Sequence, residues 1–159
     1  MELEFDVTMT PGVLYDYLLR HTYYSASGLI GTMAGALLII YFFAKGGFLF
    51  LLAGGVILLY LPWTLFLKSR QQMLRTPAFQ KPLHYKLSEE GIQVSQGEEI
   101  QMQGWEQMYK AVSTGKSIIV YTSRWNASIF PRKDLGEMEA QVIRMISTHM
   151  PPAKVKIRW

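Results

Sequence analysis

Two uncharged apolar runs, 25–44 and 46–67, are separated by Lys45 alone. A bilayer core of roughly 30 Å needs about 20 helical residues to cross it, which each run supplies. Inside them the polar side chains are Ser25, Ser27, Thr32 and Thr64, whose hydroxyls can bond their own helix backbone. Nothing in either run has to be neutralised, so the pair predicts a transmembrane helical hairpin. The competing soluble helical hairpin fits poorly with a mean hydropathy of only +0.11 and apolar residues distributed so unevenly.

The formal charge of +4 is uneven too. Glu2, Glu4, Asp6 and Asp16 precede the runs, whereas Lys68, Arg70, Arg75 and Lys81 follow them without an intervening acid. Set with Arg20 against the lone Lys45, these place both termini in the cytoplasm, with Lys68, Arg70 and Arg75 at the interface of the inner membrane. A cleavable leader is disfavoured, because the first run is long and follows an acidic segment. The chain has no cysteine, which excludes disulfides and thiolate chemistry.

Gly46 and Gly47 supply the backbone freedom of a short turn. Ser27, Gly31 and Gly35 form a row of small residues along the first run, suited to close helix packing, either within the hairpin against Gly54 or Gly55 or in a homodimer.

Leu3, Phe5, Val7 and Met9 alternate with acids or hydroxyls, the period of a strand with one buried face. Thr10-Pro11 then predicts an N-cap with proline in the first helical position. After the runs, strands are expected at 83–87, 92–95, 100–103, 109–113, 117–121 and 127–130, with turns at Glu89-Glu90-Gly91, Gln96-Gly97-Glu98 and Thr114-Gly115-Lys116. The N-terminal strand needs a sheet to join, and only this later segment offers one. From Asp134 the period becomes helical through Leu135, Met138, Val142, Met145 and Ile146, with Asp134 and Glu137 spaced as a capping box. The tail 153–159 reads as an edge strand or a basic interfacial segment.

The expected organisation is a membrane α+β chain. An N-terminal strand and juxtamembrane helix (1–24) precede the hairpin (25–44 and 46–67), and a small antiparallel β domain with a C-terminal helix (68–159) follows. Trp105, Tyr109, the strand Ile118-Ile119-Val120-Tyr121 and the run 129–135 (IFPRKDL) resemble the YcxB-like family. That resemblance implies a small bacterial membrane protein whose C-terminal domain is pleckstrin-homology-like, and it brings no established activity with it.

Chemistry-bearing motifs are sparse. His21, His84 and His149 lack metal-ligand spacing, no serine sits in a nucleophile elbow, and Glu89-Glu90 and Glu98-Glu99 have the placement of solvated turn acids. Neither an enzyme nor a cofactor is expected. Arg124 and Trp125 in one loop, with Arg132 and Lys133 before the helix, are the candidate binding residues for anionic headgroups or an acidic protein segment. Basic groups are too few and too balanced by acids to suggest nucleic acid. The expected partners are the lipid bilayer, a protein or peptide, and a second copy through the helices. The expected function is a membrane-anchored, non-enzymatic interaction module. The alternative is a small accessory or regulatory subunit of a transport or envelope-stress system that recognises its partners through the hairpin.

Overall fold

The computed structural model describes residues 2–158, in two compact units: 2–17 with 73–158, and 18–72. In the first unit, β1 (Leu3–Val7) pairs antiparallel with β2 (Leu83–Leu87), so residues on either side of the helical segment share one ladder, with Phe5 opposite Tyr85. β3 (Gly91–Gln96) and β4 (Glu99–Gly104) complete a four-stranded sheet in the order β1-β2-β3-β4. The alternation expected for β1 holds, since Leu3, Phe5 and Val7 are buried and the residues between them exposed.

A second sheet holds β5 (Lys110–Ser113), β6 (Ser117–Tyr121), β7 (Ala127–Pro131) and β8 (Val155–Lys156), in the order β7-β6-β5-β8. The expectation of a single antiparallel set of seven strands is corrected here. The strands form two sheets, and the tail takes the edge-strand form of its two expected ones, as β8, which runs parallel to β5. It is held there by Ser113 Oγ, which accepts from the Arg158 amide at 2.7 Å, and by Lys154 Nζ, which donates to the Met108 carbonyl at 3.1 Å. All five residues of β6 are buried, so this strand is covered on both faces.

The two sheets meet at Phe130, which is fully buried. Its ring stands edge-on to Phe5 and Tyr85, with centroids 5.3 and 4.9 Å away, so rings from β1, β2 and β7 form one cluster. Before it, α1 (Pro11–Tyr23) starts as its sequence predicts, with Thr10 Oγ1 accepting from the Val13 amide at 3.3 Å. Asp16 accepts a 2.5 Å hydrogen bond from Thr114 in the β5–β6 turn.

One continuous helix from Asp134 does not form. Instead a short α4 (Arg132–Leu135) stops at Gly136, whose φ of +52° breaks the helical path, and α5 (Glu139–His149) begins after a single 3-10 turn. The capping box is absent because Asp134 is used elsewhere: its Oδ2 accepts from the Thr8 amide at 3.0 Å and ties the end of β1 to α4. Val142, Ile143, Met145 and Ile146 form the buried face of α5.

In the second unit, α2 (Ala26–Lys45) and α3 (Phe48–Arg75) are joined by Gly46 and Gly47, at φ +77° and +93°, conformations that favour glycine. α3 continues two turns past its apolar run, through Lys68, Arg70 and Arg75. Both helices are long and apolar enough to cross a membrane. Their close approach is between Gly35 and Gly54, where a Cβ on Gly54 would lie 2.7 Å from the Gly35 carbonyl oxygen. A Cβ on Gly31 would lie 3.9 Å from Leu61 Cδ1, an ordinary contact, whereas Ser27 is exposed, with its hydroxyl 3.1 Å from that of Ser25.

Phe130→Ala removes the ring shared by both sheets without a neighbour that can refill the space. It is expected to cost about 3–5 kcal/mol, read as an earlier urea midpoint for the sheet unit.

Candidate functional site

β4 inverts the usual pattern of a sheet facing a core. Its residues Glu99, Gln101 and Gln103 share the face that continues from the apolar positions of β2 and β3, opposite Gln96, Val94 and Ile92, while Ile100 and Met102 point to the exposed face. The inner face of the sheet thus runs from apolar on β1 and β2 to amide-rich on β4. The sheets do not close over that polar end, leaving a cavity of about 510 Å³ between them. Its walls are Tyr85, Val94 and the three β4 residues on one side, and Thr122, Asn126 and Ser128 on the other.

The loop at its rim is ordered by its own hydrogen bonds. Ser123 Oγ accepts from the amides of Trp125 and Asn126 at 3.1 and 3.0 Å, and the Thr122 amide donates to the Asn126 carbonyl at 3.0 Å. This orders the backbone on either side of Trp125, which is 79% exposed. Behind the cavity, Gln96 donates to the carbonyls of Ala78 and Lys81 at 2.9 and 3.1 Å and pins the chain that leads into β2.

Of the residues expected from sequence, Arg124 and Trp125 lie in the loop whose Thr122 and Asn126 line the cavity, and are themselves exposed outside that lining. Arg132 and Lys133 follow the far end of β7 and are not brought to them. Arg132 is engaged in holding the fold: its guanidinium pairs with Glu139 and donates to the Arg158 carbonyl at 2.6 Å. Lys133 is exposed, 3.9 Å from Asp134. The amides of β4 were missed because a polar strand facing inward reads, by period alone, as an ordinary strand with its faces exchanged.

A second cavity, of about 550 Å³, gathers Glu89, Glu90 and Glu106 with Trp105, His149 and Lys154. The His149 ring is stacked on Trp105, with centroids 5.3 Å apart, and its Nδ1 faces the Met145 carbonyl at 3.0 Å. Because a carbonyl only accepts, Nδ1 carries a proton in this contact. This imidazole serves as a packed wall of the cavity. Among the described residues, no group of three or more histidine, aspartate or glutamate side chains could hold a metal ion.

Most of the cavity lining and the Trp125 loop fall within one stretch that is similar to known proteins, whereas Ala78, Phe79, Leu83 and Tyr85 precede it. Residues 87–146 match the family model of the YcxB-like proteins. Over that stretch the chain is similar to the YcxB-like proteins. That match runs from the end of β2 into α5 and so includes all of β4 and the rim loop of the YcxB-like region. No curated protein and no solved structure matches the chain.

Burial pushes the Tyr85 phenol above its ordinary value of 10.0, an effect opposed by its hydrogen bond with Ser128. A raised folded value means that stability is unaffected below about pH 10 and falls as the pH rises from there towards the folded value. Tyr85→Phe should lose about 0.5–1.5 kcal/mol at pH 8, from the missing hydrogen bond. It should also show a shallower fall in urea midpoint than the parent between pH 9 and 11.

Proposed function

We propose that this protein is a membrane-anchored, non-enzymatic interaction module that receives an extended protein or peptide segment in the cavity between its two sheets. The observation that carries the reading is the lining of that cavity. Gln101, Gln103, Asn126 and Ser128 offer amide and hydroxyl groups suited to the N–H and C=O groups of a peptide backbone, while Tyr85 and Val94 offer apolar contact. Glu99 is the one charged group on that wall, and neither a nucleophile–base pair nor a phosphate-binding glycine loop lies there. The ordered, exposed Trp125 suits the anchoring role that aromatic residues take at interfaces.

Attachment to the bilayer is supported by α2 and α3. Ile30, Phe43, Leu49 and Leu59 are 68%, 79%, 76% and 71% exposed, an apolar surface that water would not tolerate on helices of this length. In this reading Arg20 and Arg70, which lie over the rings of Tyr24 and Phe66 at 4.8 Å, sit at the headgroup level with Lys68 and Arg75. Both termini are then in the cytoplasm, against the inner membrane.

The pleckstrin-homology-like reading is supported by element order: a four-stranded meander, a three-stranded one, then a helix. α1, α2 and α3 are inserted in the connection between β1 and β2. The basic first hairpin by which such domains hold phosphoinositides is thus replaced by a helical segment, and the next turn is acidic at Glu89-Glu90. A peptide ligand fits this surface better than an anionic headgroup does.

Two measurements test these assignments. With no native cysteine, Lys45→Cys in intact cells should react with an impermeant maleimide, whereas Lys116→Cys should react only after permeabilisation; the opposite pattern overturns the orientation. A photocrosslinking residue at Asn126 should capture a protein that one at Lys116 does not, and Gln103→Leu with Trp125→Ala should reduce the capture at least fivefold. Equal capture at both positions removes the cavity from the function.

A further inference from the structure

The two sheets expose four strand edges, and three of them are guarded. β1 carries Glu2, Glu4 and Asp6 along its outer face, engaged with Lys86 and His84 across the ladder, and its end is tied to α4. β7 ends in Pro131 and continues directly into α4. β8 is two residues long, between Lys154 and Arg158. Charges, prolines and shortness are the ordinary means by which sheets avoid pairing with other chains. β4 has none of them along its central residues: Ile100, Gln101 and Met102 are all exposed, with Ile100 at 64% and Met102 at 44%.

The hairpin geometry decides which backbone groups on that edge are free. Gln96 pairs with Glu99 across the two-residue loop Gly97-Glu98, with Gly97 at φ +62° and no positive φ at Glu98, a type II′ turn. In such a hairpin the closing pair is hydrogen-bonded both ways, and bonded pairs then alternate along the ladder. Glu99, Gln101 and Gln103 direct their N–H and C=O groups to β3. Those of Ile100 and Met102 point outward, beyond the sheet.

We propose that β4 pairs antiparallel with β4 of a second copy of this chain, about a two-fold axis at Gln101. In this register Ile100 exchanges both backbone hydrogen bonds with Met102 of the second copy, and Met102 does so with Ile100 of the second copy. The sequence is self-complementary there. Ile100 and Met102 meet as apolar pairs on the outer face, while Glu99 meets Gln103 of the second copy, a carboxylate against an amide donor, so no like charges face each other. The two sheets become one of eight strands, and the polar walls of both cavities continue into each other. A contact of this length buries far less than the roughly 1,200 Å² of a stable soluble interface, so it depends on confinement of both copies to one membrane. In that respect it rests on the membrane attachment proposed above.

Gln101→Cys tests it in native membranes. The Gln101 pair is the non-hydrogen-bonded one, with Cα atoms about 4.5 Å apart, within the range a disulfide spans. Under mild oxidation this variant should form a disulfide dimer at least tenfold faster than Lys116→Cys. Adding Met102→Pro, which removes an outward N–H and leaves the β3 ladder intact, or Ile100→Lys, which should fold normally, should return the rate to that of the control. A rate equal to that of Lys116→Cys overturns the proposal, as do adducts only with a different protein, or dimers insensitive to both added substitutions. Carbonate extraction of the same cells reports membrane attachment separately, so a failure of the anchor is distinguished from a failure of the pairing.

Discussion

Three rings hold this domain together. Phe5, Tyr85 and Phe130 come from the strand before the helices, the first strand after them, and the second sheet, and their mutual edge-on and stacked contacts leave Phe130 without solvent exposure. Without Phe5 the first sheet would lose its anchor in the core, and without Phe130 the two sheets would lose their common centre. The placement of everything else in the unit follows from that junction: tight packing lies on its side of the sheets, and the cavity opens where β4 replaces apolar side chains with amides.

Much of this was legible in the sequence because burial and period coincide. Leu3, Phe5 and Val7 announce a strand by alternation, Thr10-Pro11 announces a helix start, and the glycine turns at 97 and 115 mark hairpins, all of which the structure contains. Legibility fails where one residue has two possible partners. Asp134 looks like a helix cap by spacing, yet its carboxylate is taken by the Thr8 amide, 126 positions away. Arg132 looks like a free cation beside Lys133, yet it is bound to Glu139 and to the tail. Those partners are distant in sequence, and no local pattern encodes them.

The candidate site was half legible for the same reason. Arg124 and Trp125 stand out as a cation and an indole in a turn-rich loop, and that loop contributes Thr122 and Asn126 to a cavity wall. The opposite wall did not stand out, because Glu99, Gln101 and Gln103 alternate with Ile100 and Met102 as any half-buried strand would. Alternation identifies two faces without stating which is inside. Here the usual assignment is reversed, and the reversal creates both the polar cavity and the exposed apolar edge.

The ladder between β1 and β2 also sets an order of events. β1 is made before its pairing partner, which does not follow until residues 8–82 have been added, so it waits through the whole helical segment before it can join a ladder. During that interval Leu3, Phe5 and Val7 have no sheet to cover them, and Glu4 and Asp6 alternate with them. Closing so long a loop is a slow step for a small domain. Charges on an unpaired strand oppose its joining another chain, a use for the acids of β1 that precedes their ion pairs in the finished sheet.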